Sequence, residues 1–480
     1  MKFAALFLLS LAPLGQAGST GYFVPEHRVS GIGVARDDIS SDLLEARTDL
    51  MIQSQTFIIM RDPLAVAGAR RITTDRRLQS IFRAAALRSG LSSALLEAIA
   101  YLESWGDAKA ESVAGPKGIM QISAATARSM KLRVVQATRY RVTREKVQVV
   151  SKGRKPRYKT VTHRTPYTVT IRDDRLVPER AIPAAAVYLA GMEQKFQGLD
   201  WAIFAYHCGQ GCVSTMLDIT RRARGIPKDE ITVARMFFSS DPAWNRELYE
   251  AIQQQMQRDY SPTYYFRVKR AEQLLALYRR DRAAFLALAQ EYHSDFFTAV
   301  RAPHRLSVWL KRDDLIYKSW DDIRADAGKR LFKAFDRPEY FGYRLHLDPE
   351  DPANLEYYSQ ASPSAIGTLM YIAFETRRLF DELKPKDEKF EPLTVTSLVE
   401  STDGAKDDIN RLAHRSGQVF DIDYSGLAPG ELECLRFVLD DLGWEGCLGF
   451  IEEGRDNLHI GCSPSSRDFF TAVFHEAVGG

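Results

Sequence analysis

At 480 residues and 45% hydrophobic content, the chain is longer than one ordinary core uses and points to two or three domains that fold without staples. A formal net charge of +3 excludes any argument for a polyanion partner from the chain as a whole and leaves only local clusters of charge to consider. Five cysteines, Cys208, Cys212, Cys434, Cys447 and Cys462, are too few for a disulfide scaffold and odd in number. Cys434 with Cys447 is a candidate bridge, whereas Cys208 and Cys212 lack the second pair of a zinc ribbon and read as structural.

The first residues, "MKFAALFLLSLAPLGQAGST", combine an early Lys, an apolar stretch of about a dozen residues and a small-x-small site ending at Ala17. This is the anatomy of a secretory signal over residues 1–17, with a mature chain starting near Gly18; the bland alternative is a buried N-terminal helix. No later run reaches the roughly 18 apolar residues of a membrane span, and no cysteine follows the apolar stretch until Cys208. The expectation is a soluble protein exported across the inner membrane to the periplasm or the exterior, without a lipid anchor at the cleavage site.

After a helical lead-in over residues 18–75, "RRLQSIFRAAALRSG" and "LSSALLEAIAYLES" read as two amphipathic helices, with Gly90 closing the first and Ser92 or Ser93 capping the second. Leu96, Ile99 and Glu103 fall at i, i+3 and i+7, which puts a carboxylate on the core-facing stripe. Against apolar surface its charged form loses solvation, so its pKa should rise and it can serve as a general acid. The bland alternative is a solvated last residue of an ordinary helix. Gly115 and Gly118 then frame a tight loop, and "GIMQISAATARSM" opens a new helix with Met120 and Gln121 at its entrance, where backbone and amide groups can face a ligand.

These residues resemble the catalytic core of the soluble lytic transglycosylases, lysozyme-like enzymes that cleave peptidoglycan glycan strands. The resemblance rests on Glu103-Ser104, on Gly115 to Gln121 and on Ala125-Thr126-Ala127, and continues through "PERAIPAAAVYLAGMEQKF" and "WAIFAYHCGQGCV" over about Arg76 to Arg270. It implies Glu103 as the catalytic residue and Ser104, Gly118, Met120, Gln121, Tyr188, Tyr206 and His207 as substrate-binding residues, with no cofactor. His207 and Cys208 stand where the family has Asn and Ala, Ala181 where Asn is common and Ala124 where Pro is common. These departures bear on glycan subsites. An ordinary glycosidase uses two carboxylates. The resemblance implies that Glu103 alone protonates the leaving oxygen and then deprotonates the muramyl C6 hydroxyl, whose attack on its own anomeric carbon gives a 1,6-anhydro sugar, with Asp107 and Glu111 as solvated surface groups. High effective molarity of the internal nucleophile makes a second carboxylate unnecessary.

Residues 133–172 have no counterpart in that family's common core. "YRVTREKVQVVSKGRKPRYKTVTHRTPYTVTI" alternates apolar and basic residues on both sides of "SKGRKP" and reads as a β-hairpin with one cationic face, the region holding 12 Lys and Arg against one Glu. Its functional reading is a clamp on an anionic cell wall or membrane surface; the alternative is an edge hairpin kept from aggregating by its charges. Nucleic acid is not an expected partner. From about Asp229 to Tyr340 the pattern is helical and mixed in charge, and "HLDPEDPANLEYY" breaks the periodicity.

In the last segment "EPLTVTSLVES" alternates like a strand, "HRSGQVFDIDYSG" sets His414 and Asp421 seven residues apart, and "CLGFIEEGRDNLHIG" follows a helical stretch and supplies His459. Two histidines and a carboxylate leave one position open on a tetrahedral zinc, although scattered surface histidines would give the same spacing. The order resembles the zinc peptidases that cut D-Ala-containing peptidoglycan peptides, over about Tyr340 to the C-terminus. It implies a Zn2+ held by His414, Asp421 and His459. Glu400 stands where those enzymes have an arginine, and Asp456 and Glu453 are the nearest candidates for the catalytic acid before the last ligand. "FHEAV" lacks the second His of a zincin helix.

The expected fold is multidomain α+β. It comprises a mainly α lysozyme-like transglycosylase domain at 76–275 with a basic β-hairpin insertion at 133–172, a helical connector at 276–340 and a C-terminal α+β zinc peptidase-like domain at 341–480. The expected partners are peptidoglycan glycan strands and stem peptides. Rival readings are a hydrolytic muramidase and a wall-binding scaffold with an inactive C-terminal domain.

Overall fold

Capping side chains set the helix boundaries in a computed structural model of the chain, which describes residues 22–25, 41–60, 62–113, 115–149, 157–256, 263–292, 314–347, 352–400, 413–444, 447–453 and 456–479. The expected signal at 1–17 and the "SKGRKP" turn lie outside these residues. The first half runs α1 (Ser41–Met60), α2 (Ala65–Thr74), α3 (Arg76–Ser89), α4 (Ser93–Ser104), α5 (Ala124–Ser129), then β1 (Val134–Val149) and β2 (Arg157–Asp173). Seven helices follow: α6 (Pro178–Phe196), α7 (Leu199–Cys208), α8 (Gln210–Thr220), α9 (Val233–Phe238), α10 (Arg246–Met256), α11 (Tyr264–Arg280) and α12 (Arg282–Tyr292).

Asp75 accepts from the N–H groups of Arg77 and Leu78 to start α3, and Gly90, at φ +78°, ends it. Ser92 caps α4 through the Leu95 N–H. Leu96 and Ile99 of α4 are fully buried, and the helix packs on α2, α3 and α11. Ile72 of α2 and Phe285 of α12 join the same core, so its packing reaches into both the lead-in and the connector. A second cluster gathers α1, α7, α8, α9 and α10 around Trp201 and Met216. Among the described residues no helix is long and apolar enough to cross a membrane.

The second half begins with α13 (Trp320–Asp326), β3 (Phe332–Lys333), α14 (Pro338–Phe341), β4 (Tyr343–Leu345), α15 (Leu355–Tyr358), β5 (Gln360–Ala361) and α16 (Pro363–Leu383). It ends with β6 (Leu393–Ser397), β7 (Val419–Asp423), α17 (Pro429–Trp444), β8 (Leu448–Glu453), β9 (Asn457–Cys462) and α18 (Arg467–Gly479). Five strands form one sheet in the order β4-β6-β7-β9-β8, parallel only between β4 and β6. Val395, Phe420, Ile422, Leu458 and Ile460 point to the helix α16, which is buried for most of its length. The alternate residues of β6, β7 and β9 therefore share the opposite face.

The two halves meet along α1. Arg47 lies 4.3 Å over the Phe238 ring and 3.4 Å from Asp441 of α17, with both members of the ion pair buried. Arg246 of α10 pairs with Glu433 at 2.7 Å, beside a cleft of about 950 Å³ lined by Tyr249, Gln253 and Arg436.

Two expectations change. None of the five cysteines is in a disulfide: Cys434 packs with Tyr249 and Phe437, whereas Cys447 belongs to the core around the sheet, so the candidate bridge is not formed. The hairpin, in turn, has no single cationic face. Antiparallel pairing of Arg139 with Tyr167, Arg141 with Thr165 and Val147 with Lys159 puts Arg139, Arg141 and Lys159 on one face, while Arg144, Lys146 and Arg164 take the other. The reason is parity: the basic positions of β1 switch from odd to even numbers between Arg141 and Arg144, and a strand turns that switch into a change of side.

Candidate active site

Glu103 lies in the last turn of α4, half-buried at the end of the stripe begun by Leu96 and Ile99. Tyr264, the first residue of α11, donates its Oη hydrogen to Glu103 Oε1 at 2.7 Å. The His207 ring stacks on Tyr264 with centroids 4.5 Å apart and planes 8° from parallel, and Arg267 lies one turn further along α11. Burial pushes the Glu103 carboxyl above its ordinary value, and His207, the Tyr264 hydrogen bond and Arg267 oppose that rise without cancelling it. Burial, with Glu103's charge behind it, likewise raises the Tyr206 and Tyr264 phenols well above theirs, so both remain hydrogen-bond donors.

The loop that faces Glu103 is held by hydrogen bonds to its backbone. Ser104 Oγ lies 3.1 Å from Ala100 O and 2.9 Å from Ile119 O, and Tyr206 Oη donates to Met120 O at 2.8 Å. Gln121, at φ +43°, turns its amide back to Gly118 O and Ala110 O at 2.9 and 3.2 Å. Gly118 has φ +78°, and a Cβ there would sit 1.9 Å from the Arg175 carbonyl oxygen. Only glycine fits. Arg175 is itself buried at the foot of the hairpin, paired with Asp173 at 2.6 Å and donating to Ile122 O at 3.2 Å.

The structure thus divides the expected substrate-binding set. Ser104 and Met120 are buried, and together with Gly118 and Gln121 they shape the loop. Tyr188, Tyr206 and His207 gather beside Glu103: the two tyrosine rings are 6.4 Å apart, Gln210 donates to Tyr188 Oη at 3.3 Å, and His207 is exposed. Asp107 and Glu111 are exposed, the first bound to the Lys109 N–H at 2.9 Å and the second paired with Lys117 at 2.9 Å. Sequence reading missed Tyr264 and Arg267, some 160 residues from Glu103; the only local signal was the tyrosine pair opening the amphipathic stretch that becomes α11. The arrangement provides one carboxyl whose pKa is raised by burial and whose position is fixed by a tyrosine, a group suited to give a proton and to take one back.

A second cluster lies in the C-terminal half. β7 and β9 place Asp421 directly opposite His459, and β6 brings Ser397 to the other side of Asp421. His414 enters from the turn before β7, where Gly417, at φ +66°, leaves room for Leu331. Asp421 Oδ1 is 2.8 Å from His459 Nδ1 and 3.2 Å from His414 Nε2, with all three residues buried. One ligand atom from each lies within 4.8 Å of the others.

The donor set fits a metal cation. His414 Nδ1 is 2.5 Å from Leu398 O, which can only accept, so Nδ1 carries hydrogen and Nε2 aims its lone pair at the Asp421 carboxylate. Two lone pairs at that distance require a positive charge between them. Without a metal it is a proton: burial opposes it, but Asp421 and Glu400 prevail and raise His414 to about 9. Asp421, despite burial, is held well below the usual carboxylate range by the two histidines. His459 Nε2 is buried without a hydrogen-bond partner.

Asp456 is not brought into this cluster. It lies in the turn just before β9, with its carbonyl accepting from the Tyr424 N–H, and is not among the residues whose ligand atoms gather here. Glu453 pairs with Asn457 at the end of β8, and its side chain lies outside the described residues. The carboxylate that does stand beside the cluster is Glu400. It accepts from Ser397 Oγ at 2.5 Å, and that hydroxyl is 3.3 Å from His414 Nδ1.

Comparison with known proteins bears on the first site. Residues 80–146, which include Glu103 and the loop it faces, match the transglycosylase SLT domain family. Peptidoglycan transglycosylase gp16 of Escherichia phage T7 is 34% identical over 132 residues, which cover 27% of this chain and 8% of that protein. The chain therefore spans under a tenth of the length of the curated relative it matches.

Proposed function

We propose that the chain is a peptidoglycan lytic transglycosylase that cleaves the β-1,4 bond between N-acetylmuramic acid and N-acetylglucosamine and leaves 1,6-anhydro ends. The observation that carries this reading is the lone carboxyl of Glu103, raised in pKa by burial and held by Tyr264 within the segment that matches the SLT family. In the first step Glu103 gives its proton to the glycosidic oxygen as the C1–O bond breaks. The resulting carboxylate then takes the proton of the muramyl C6 hydroxyl as that oxygen bonds to C1, so Glu103 ends as it began. Tyr264 holds the carboxyl through both transfers, and Tyr188, Tyr206 and His207 flank the sugar.

A second activity is favoured by the His414, Asp421 and His459 cluster, which would hold Zn2+ for cleavage of stem or cross-link peptides. A bound zinc ion would supply Lewis acidity toward a peptide carbonyl. His414 is oriented for it by Leu398, and Glu400 is the carboxylate placed to move a proton nearby. In this reading the protein works outside the cytoplasm on glycan strands and stem peptides.

Mass spectrometry of products from purified cross-linked peptidoglycan, digested with and without a zinc chelator, tests both parts. Anhydro ends that survive chelation, with peptide scission that does not, are expected. Reducing ends would instead identify a muramidase that uses water, and anhydro ends without peptide scission would leave the C-terminal half as a binding module.

A further inference from the structure

The hairpin is the largest feature that these chemistries do not use. β1 and β2 pair without interruption from Gln136 to Val149, a ribbon about 45 Å long at roughly 3.3 Å per residue. Its side chains are exposed on both sides for most of that length. Among the described side chains each face carries three cations, Arg139, Arg141 and Lys159 on one and Arg144, Lys146 and Arg164 on the other, with Glu145 the single acid of the region. Tyrosines accompany both sets: Tyr167 is 44% exposed beside Arg139, while Tyr140 and Tyr158, 59% and 69% exposed, share the second face. Among the described residues none of the six cations forms an ion pair, so their charges are available to a ligand.

We propose that this ribbon is an arm that inserts between the strands of a carboxylate-bearing wall polymer, using both faces at once. A flat membrane meets one face of a ribbon and leaves the other cations in water, where a Debye length of about 8 Å at physiological salt isolates them from the surface. A polymer mesh surrounds the ribbon and meets both. The exposed tyrosines suit the same partner, because an amphipathic ring can lie on the apolar face of a sugar while its hydroxyl stays wet. The foot of the arm is rigid. Asp174 accepts from Arg172 at 2.8 Å, Arg180 at 2.6 Å and the Arg133 N–H at 3.1 Å, and Arg175 reaches from β2's end into the Gly115–Ile122 loop. Strands held along the arm are therefore held at a fixed position relative to Glu103.

The inference rests on the wall-degrading reading but is tested without catalysis, in full-length protein carrying Glu103→Gln. Co-sedimentation with purified sacculi is measured against salt for two charge reversals: Arg139→Glu with Arg141→Glu and Lys159→Glu, and Arg144→Glu with Lys146→Glu and Arg164→Glu. Each triple should weaken binding by about tenfold and flatten its salt dependence, and the two together should abolish it. Arg→Lys replacements at the same places should bind like the parent, which separates charge from folding. Amidating the carboxyls of the sacculi should weaken binding, and binding lost only when phosphate polymers are stripped by acid would overturn the proposal. Loss confined to one triple, tighter binding to phosphatidylglycerol vesicles or duplex DNA than to sacculi, or undiminished binding by both triples would overturn the proposal. If binding behaves as expected while the active protein yields no cleaved glycan, the arm stands and the transglycosylase reading falls.

Discussion

Glu103 and His414 both have raised pKa values, for opposite reasons. At Glu103 burial outweighs His207, Tyr264 and Arg267, so the neutral form is favoured and a proton is available to give away. At His414 Asp421 outweighs burial, so the charged form is favoured and a cation is retained. A half-buried carboxyl with one hydrogen-bond partner suits proton transfer, and a fully enclosed His–Asp–His set suits holding a positive ion. The direction of a shift therefore identifies neither site; its cause does.

The sharpest break in this comparison is Glu103→Gln, which keeps a hydrogen-bonding partner for Tyr264 and removes the transferable proton. Glycan cleavage should fall by about 10³-fold or more, read as anhydro-product release, while zinc content stays unchanged. The same variant gives a pH test. A carboxyl with a raised folded pKa contributes stability that is complete below its ordinary value and declines as pH rises through the raised one. The parent should therefore lose Tm relative to Glu103→Gln across that interval, and parallel Tm profiles would remove burial as the cause. Asp421→Ala is the counterpart at the other site: bound zinc by atomic emission should drop to background and glycan cleavage should persist. The metal-free C-terminal half should lose about 3–5 kcal/mol, because two buried histidines lose their shared carboxylate.

Gly118→Ala should cost about 1–3 kcal/mol and a comparable loss of cleavage rate, because its φ is positive and the Arg175 carbonyl occupies the space for a Cβ. Tyr264→Phe should slow cleavage about tenfold and move the alkaline limb of kcat/KM to higher pH, since the lost hydrogen bond had lowered the Glu103 pKa. A limb that stays in place would assign the titration to another group. Smallest of all, Asp107→Asn and Glu111→Gln should change cleavage by less than about twofold, as exposed groups away from the chemistry do.

Short-range chemistry carried most of what could be read in advance. The Leu96, Ile99 and Glu103 spacing placed a carboxylate on a buried stripe, and Gly90 and Ser92 bounded their helices, whereas only the fold brings His414, Asp421 and His459 together. Each of the first two depends on periodicity or capping within a few residues. The hairpin cations divide between two faces because their positions in β1 change parity between Arg141 and Arg144, a change already present in the sequence. Tyr264, Arg175 and Glu400 could not be found that way. Tyr264 reaches Glu103 across 161 positions, Arg175 reaches Ile122 across the whole hairpin, and Glu400 meets His414 through Ser397.

By itself the sequence determined the helix that presents Glu103 and the tight loop framed by Gly115 and Gly118, because backbone sterics and side-chain period are local properties. Only the tertiary structure decided which partners surround them. Whether a carboxyl is neutral or an imidazole charged depends on the sum of burial and nearby charge, and that sum is set by residues the chain brings together from far away.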